Sequence, residues 1–512
     1  MRGAFHAGFS RRDFLKVTGA AGATLLIPNS VLRAADVLAA TSPIRAAGSL
    51  PFPGRPPGHP QPDLAPALAN IDHIIMLMME NHSFDNYFGM LPYQVPALNG
   101  NVDGWPSLGR GGIPNTAVPQ ADSQGVVHTP FPMPNGCQPG AVSQSWDASH
   151  QAYDQKKMDG FCIGSSPAAL GYWDQSLLPF YYSLASNFVV CDRYFCSTLC
   201  QTYPNRVFMM AATACGLTAT QTPPPSVTPV NGHIFERLDA YNISWMDLYA
   251  ELPSPGLFGA TYAAQEEALG KLVFAGPTND DLVTAFSLLC QANNLPSVML
   301  LEPNYEYGSE ENPQNVQTGQ TFVQGIVNAL MNSPAWSNTL LIYTYDEHGG
   351  YYDHVVPPSA LNLNPGDGTS PSQPPVTSTY GDDYTVLGFR VPTVIVSPWI
   401  KLGFVSHTVY DHTSWLATIE KKWNLPALTN RDAQANPLDD CLVSSGPAPL
   451  ATPPMLQSAR HSTEADSVAC EEDGGQDPLA LPEAPSTALL AAAGVAAGAG
   501  ALALRQRIRT PQ

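Results

Sequence analysis

Residues Asp346 to Pro358 read Asp-Glu-His-Gly-Gly-Tyr-Tyr-Asp-His-Val-Val-Pro-Pro and follow an apolar run, Thr339 to Tyr345. Adjacent carboxylates at the end of a buried strand are unfavourable unless positive charge lies between them. The simplest such charge is a divalent metal ion. A second segment has the same form: Ile74 to Met79 is apolar and ends in Glu80-Asn81-His82-Ser83-Phe84-Asp85. Taken singly, either segment also fits a salt-bridged loop or a helix cap; the pair points to a site. A third segment, Thr202-Tyr203-Pro204-Asn205-Arg206, sets a hydroxyl, a rigid turn, an amide and a guanidinium side by side. The planar donor fork of Arg206 suits phosphate oxygens. Read alone, the same segment is a capped helix start. Oxygen donors suit Ca²⁺, Mg²⁺ or Mn²⁺ better than a thiolate-seeking ion.

Something must hold these segments together. Short apolar runs at His73 to Met79, Ser297 to Leu301, Leu340 to Tyr345 and Thr393 to Val396 predict buried strands. Phe322 to Met331 and Ser414 to Trp423 carry apolar residues at helical spacing. Strands alternating with helices predict an α/β fold with a mostly parallel sheet flanked by helices. In such sheets ligands gather at the carboxyl ends of the strands. Residues 90–145 and 357–384 are rich in Pro, Gly, Asn and Ser and are expected as long loops over the site.

The composition narrows the function. A net charge of −20 argues against nucleic acid and against docking to anionic lipid. It leaves a zwitterionic phospholipid or a small phosphate ester open. With 44% hydrophobic and 13% charged residues the chain is globular, and so low a charge suits an exported protein. The nine cysteines show no zinc-ribbon spacing. Cys191, Cys196, Cys200 and Cys215 are expected as buried thiols or one local disulfide.

The ends of the chain read as targeting segments. Ser10-Arg11-Arg12-Asp13-Phe14-Leu15-Lys16, followed by the Ala/Gly-rich stretch from Val17 to Ile27, has the form of a twin-arginine signal. Such signals carry folded proteins out of the cell. Ser486 to Leu504 is uncharged and just long enough to span a bilayer, and Arg505, Arg507 and Arg509 follow it. The resulting division is a signal peptide at 1–40, a Pro-rich linker at 41–66 and a catalytic domain at 67–442. An acidic flexible spacer follows at 443–485, and a hydrophobic anchor or sorting tail at 486–512. The expected destination is the cell surface or the extracellular medium, with the tail as the means of attachment.

The motifs also resemble a family. Glu80 to Gly89, Lys157-Met158-Asp159-Gly160-Phe161, Thr202 to Arg206, Asp346 to Val355, Arg390-Val391-Pro392, Val396-Ser397-Pro398-Trp399 and Tyr410-Asp411-His412-Thr413-Ser414 are similar to those of the bacterial phosphoesterase family, in its order. That family holds phosphatidylcholine-type phospholipases C, plant non-specific phospholipases C and a metal-dependent acid phosphatase. The resemblance implies an alkaline-phosphatase-like core. It implies Glu80, Asn81, Asp346 and Glu347 as metal ligands, with Thr202 as nucleophile and its oxygen also near the metal. Two positions depart from the pattern: Gln144 precedes Ser145-Trp146, and Asn312 precedes Pro313, where the family often has histidine. Three histidines remain available: His354 to protonate the leaving alcohol, and His150 and His348 to bind substrate beside Arg206. The expected activity is phospholipase C-type hydrolysis of a phosphodiester through a phosphothreonine. An acid phosphatase acting on soluble monoesters, and an inactive surface-displayed scaffold, are the alternatives.

Overall fold

The computed structural model describes residues 66–473, apart from 99, 140–141, 221–226, 230 and 361–383. Its centre is an eight-stranded sheet. The strands are β1 (His73–Met79), β2 (Val189–Cys191), β3 (Trp245–Tyr249), β4 (Leu272–Phe274), β5 (Val298–Glu302), β6 (Thr339–Tyr345), β7 (Val394–Val396) and β8 (Val405–Ser406). Their spatial order is β4-β3-β5-β1-β6-β7-β2-β8. Every neighbouring pair is parallel except the two made by β7, which runs against both β6 and β2. The expected mostly parallel α/β sheet is therefore present, and the four apolar runs all fall in it.

The central strands are apolar throughout because both faces are covered. All seven residues of β1 and all seven of β6 are buried. The two helical patterns also appear, in the helices Val316–Met331 and Thr413–Trp423. Val316–Met331 buries Phe322, Val323, Ile326, Val327 and Leu330 along one stripe. Each such side chain contributes about 1.5–3 kcal/mol on burial.

Register decides what lies at the carboxyl edge. Met79 pairs with Tyr345, so the next residues, Glu80 and Asp346, leave the sheet side by side. The Asp346 amide donates to the Met79 carbonyl at 3.0 Å, one step beyond the last pair. On the other flank of β1, Leu301 pairs with Leu77, which puts Glu302 at the same edge.

The long segment at 90–145 includes, among its described residues, two short two-stranded ribbons, 107–108 with 114–115 and 120–121 with 127–128. Most of the loop expected at 357–384 falls outside the described residues. So do the signal peptide, the Pro-rich linker and the hydrophobic tail.

The spacer expected from 443 onwards is not loose at its start. The Gln457 amide donates to Ser183 Oγ, the Ala459 amide to Gln324 Oε1, and the Asn315 amide to Ser467 Oγ. A helix, Glu464–Asp473, closes this strap, and Cys470 is bonded to Cys137 across a sequence separation of 333. Polar, Pro-rich composition suggests a linker because it cannot form a core of its own. It does not report that the backbone can bond to a core already built. The clustered cysteines are thiols: Cys191, Cys196 and Cys200 are buried and Cys215 is partly buried. Among the described residues no helix is long and apolar enough to cross a membrane.

Candidate active site

Thr202 is the first residue of the helix Thr202–Ala211. Pro204 is tolerated in this first turn because amides there have no partner within the helix. Asn205 braces the loop below it: its Nδ2 donates to the carbonyls of Cys200 and Gln201, and its Oδ1 accepts from the Thr198 amide. The Thr202 hydroxyl is thereby aimed at the sheet edge, where Oγ1 donates to Glu80 Oε2 at 3.0 Å. The segment opens a helix without a side-chain cap and also delivers a hydroxyl to Glu80.

Arg206 lies one turn along the same helix. Its Nη2 meets Glu80 Oε1 at 2.6 Å, its Nη1 is 3.7 Å from Glu302 Oε2, and its Nε is 3.6 Å from Asp346 Oδ2. Its guanidinium also stacks over Tyr305, 5.0 Å from the ring centroid. Expected as a phosphate ligand, Arg206 instead has its donor fork turned to three carboxylates. Its place is to orient Glu80.

Asn81 has a left-handed backbone, with φ 68°. Asparagine tolerates this conformation better than most residues. The Asn81 amide donates to Asp346 Oδ1 at 3.2 Å, while the Asn81 side-chain oxygen and nitrogen have no hydrogen-bond partner among the described residues. Neither does Asp346 Oδ2. Gly349 passes directly beneath: a Cβ there would lie 1.8 Å from the Asn81 carbonyl oxygen, and its φ is +65°. Only glycine fits this crossing. The Glu347 amide donates to Asp346 Oδ1 at 2.7 Å, and Glu347 Oε2 accepts from the Gly349 amide. Glu80, Asn81, Thr202 and Asp346 are thus linked from three distant parts of the chain, with Glu347 next to Asp346 and its Oε2 turned to the Gly349 amide.

The donor set fits a hard divalent cation. The Asn81 side-chain amide and Asp346 Oδ2 are buried with no hydrogen-bond partner among the described residues, and burying such groups unpaired is unfavourable. The guanidinium of Arg206 answers only one of the negative charges it touches.

The histidines divide. His348 Nδ1 is 3.1 Å from Glu347 Oε2, its ring rests against Phe389, and burial lowers its pKa to about 3. The ring is neutral, enclosed and in contact with Glu347. His150 lies on the helix Trp146–Tyr153 with Nδ1 on the Trp146 carbonyl at 2.7 Å. Trp146 packs with Cys200 and Phe208, which brings this helix alongside the Thr202 helix. His82 is fully buried against Asn86 and the Glu310 carbonyl, as befits a structural residue.

His354 belongs to a different network. Its Nδ1 meets Asp85 Oδ2 at 2.6 Å and its Nε2 meets Asp103 Oδ1 at 3.2 Å. Burial alone would lower its pKa, but Asp85 and Asp103 outweigh burial and hold it up at about 9. It is an imidazolium at neutral pH. Asp85, Asp353 and His354 place three ligand atoms within 4.8 Å of one another, so they form a second group able to hold a metal. Arg390 argues against that use: its Nε bonds Asp353 at 2.9 Å and its Nη2 bonds Asp85 at 3.0 Å. Two carboxylates there already face two cations.

A pH dependence follows from this network. The folded pKa of His354 lies above its unfolded value, so its contribution to stability is full below pH 6.5 and lost as pH rises through 9. That contribution is about 3 kcal/mol at 1.36 kcal/mol per pKa unit. Denaturant unfolding should show this loss in the parent between pH 6 and 10 and not in His354→Gln. An equal loss in both would remove His354 as the cause.

Sequence reasoning did not single out Glu302, Asp85, Asp353 or Arg390. Each lay inside a quoted motif or beside one, but ion-pair partners up to 305 residues apart leave no local signal.

The phosphoesterase family model matches residues 71–426, which is most of the chain. The chain belongs to the phosphoesterase family. Phospholipase C A of Mycobacterium tuberculosis is 30% identical over 461 residues, covering 82% of each chain. Non-specific phospholipase C5 of Arabidopsis thaliana is 30% identical over 74% of this chain and 75% of its own. Non-hemolytic phospholipase C of Pseudomonas aeruginosa is 28% identical over 81% of this chain and 60% of its own. By family and relatives the chain is a phospholipase C-like phosphoric ester hydrolase. Among solved structures, the lipoteichoic acid synthase LtaP of Listeria monocytogenes aligns at 10% identity and a TM-score of 0.37, covering 79% and 81% of the two chains. A twin-arginine translocation signal model matches residues 8–28, which marks this phosphoesterase for export.

Proposed function

We propose that this phosphoesterase hydrolyses the phosphodiester of a phospholipid by phospholipase C chemistry, with Thr202 as nucleophile. The observation that carries the reading is the Thr202 hydroxyl, hydrogen-bonded at a helix start to Glu80, the residue next to Asn81.

Thr202 Oγ1 attacks phosphorus in line with the leaving alcohol, and its proton leaves along the existing hydrogen bond toward Glu80. The amides of the helix start favour negative charge on the phosphoryl group. A divalent cation held by Glu80, Asn81, Asp346, Glu347 and the Thr202 oxygen would supply charge stabilisation and acidify that hydroxyl; Ca²⁺, Mg²⁺ and Mn²⁺ all suit these donors. Arg206 and His348 keep Glu80 and Glu347 in place. His354 protonates the alcohol as the phosphorus–oxygen bond breaks. Asp85 anchors its Nδ1, and its Nε2 turns to substrate when the partly exposed Asp103 gives way. Water then cleaves the threonine–phosphorus bond of the intermediate, which still carries the head group. The sum is phosphodiester plus water giving diacylglycerol and a phosphorylated head group. The tail at 486–512 is read as the attachment to membrane or cell surface.

Product analysis on the full chain tests this. Phosphatidylcholine micelles should give diacylglycerol and phosphocholine, with p-nitrophenyl phosphate a poor substrate. The opposite preference would make the protein a phosphomonoesterase. If His354 is the acid, His354→Gln should slow phosphatidylcholine turnover about 100-fold while sparing p-nitrophenyl phosphocholine, whose leaving group needs no proton. Equal losses on both substrates would reject that role.

A further inference from the structure

Glu310 is fully buried, and among the described residues no ion pair reaches its carboxyl group. Its Oε2 accepts from Tyr87 Oη at 2.8 Å and from Tyr345 Oη at 2.6 Å, and its Oε1 accepts from Tyr181 Oη at 2.5 Å. Its backbone is left-handed, with φ 74°. The Glu310 carbonyl accepts from His82 Nε2 at 3.1 Å, and one residue earlier the Ser309 carbonyl accepts from the Glu80 amide at 3.0 Å. Burial pushes the carboxyl up to about 8 against the pull of the three hydroxyls. Burying a polar group of this kind is unfavourable unless it is hydrogen-bonded, and apolar packing avoids that cost. Stability alone does not account for the arrangement.

The partners of Glu310 are informative. Tyr345 is joined directly to Asp346. Tyr87 sits on the short helix Phe84–Phe88 that continues the Glu80-Asn81 turn. Tyr181 sits on the helix Pro179–Asn187, which carries no member of the oxygen cluster. One carboxylate thus ties together the two turns whose oxygens must meet across the site. Ligand spacing has to be held to about 0.5 Å for a metal centre to bind well. Room for this is made by Gly319, where a Cβ would stand 2.2 Å from Glu310 Cγ.

We propose that Glu310 is a positioning residue for the metal centre, fixing the spacing of the Glu80-Asn81 and Asp346-Glu347 turns through one tyrosine of each. The proposal rests on the reading of the oxygen cluster as a metal site.

Two single-hydroxyl deletions test it on the folded, full-length chain. Tyr345→Phe and Tyr181→Phe each remove one hydrogen bond to Glu310. Chelator-stripped protein is titrated with Mn²⁺ by calorimetry, and Tm is read for each variant. Both variants should lose similar Tm. Tyr345→Phe should weaken Mn²⁺ binding about tenfold or more and lower kcat without raising KM, whereas Tyr181→Phe should leave the affinity within about twofold. Equal changes of affinity in the two variants, or an unchanged affinity in Tyr345→Phe, would overturn the proposal and leave Glu310 as core structure. If Tyr345→Phe does not fold, Tyr87→Phe takes its place in the same comparison. A parent protein that binds neither Mn²⁺, Ca²⁺ nor Mg²⁺ would overturn the metal reading itself, a result distinct from either of these.

Discussion

Replacing Thr202 with alanine should lower turnover by about four orders of magnitude while leaving the protein folded and its KM nearly unchanged. The size follows from losing a covalent step, where nucleophile deletions remove most of the acceleration that binding alone does not supply. Persistence of the fold follows from local structure. Thr202 is the first residue of its helix, its side chain bonds Glu80, and the loop beneath is held by Asn205. Alanine is a good helix former, so the stability change should stay within about 1 kcal/mol. Thr202→Ser keeps an oxygen in place and should retain a measurable part of the rate. Mass spectrometry of a quenched reaction with phosphatidylcholine should find a phosphocholine adduct on residue 202 of the parent and none in Thr202→Ala. Near-normal turnover in Thr202→Ala would end the covalent mechanism.

The second large effect is expected from removing the cation. Stripping with a chelator should abolish turnover, by about three orders of magnitude or more, and adding back one of Ca²⁺, Mg²⁺ or Mn²⁺ should restore it. Stability should fall as well, because Asp346 Oδ2 and the Asn81 side-chain amide then lie buried without a hydrogen bond. Asp346→Asn gives a sharper sign. With one negative charge fewer beside Glu80, the metal-free protein should gain Tm, while metal affinity should fall about 10- to 100-fold. A bracing salt bridge would behave otherwise, since losing Asp346 would then only destabilise. Activity indifferent to chelation would sink the metal, and no activity to restore would favour an inert scaffold.

What the sequence made legible was local. Apolar runs ending in carboxylates mark strand ends, and β1 and β6 are where Ile74 to Met79 and Thr339 to Tyr345 placed them. Their shared edge follows once both are parallel strands of one sheet. Partnership across the fold was not legible. Arg206 looks like a phosphate ligand because a guanidinium carries no mark of which anion it will meet; here it meets Glu80, Glu302 and Asp346. His348 looks like a titrating ligand until Phe161 and Phe389 are seen to enclose it. Glu310 looks like an ordinary surface acid in the run Ser309-Glu310-Glu311-Asn312, and only the folded chain brings three tyrosines to it. The strap at 443–473 was hidden for the same reason, since its order comes from bonds to residues far upstream.

The Cys137–Cys470 bond gains meaning from the twin-arginine signal. A passenger that folds in the reducing cytosol and crosses the membrane already folded must reach its shape with both sulfurs unlinked. The linkage is then a fastening added on arrival outside. It clips the strap shut only in the oxidising compartment.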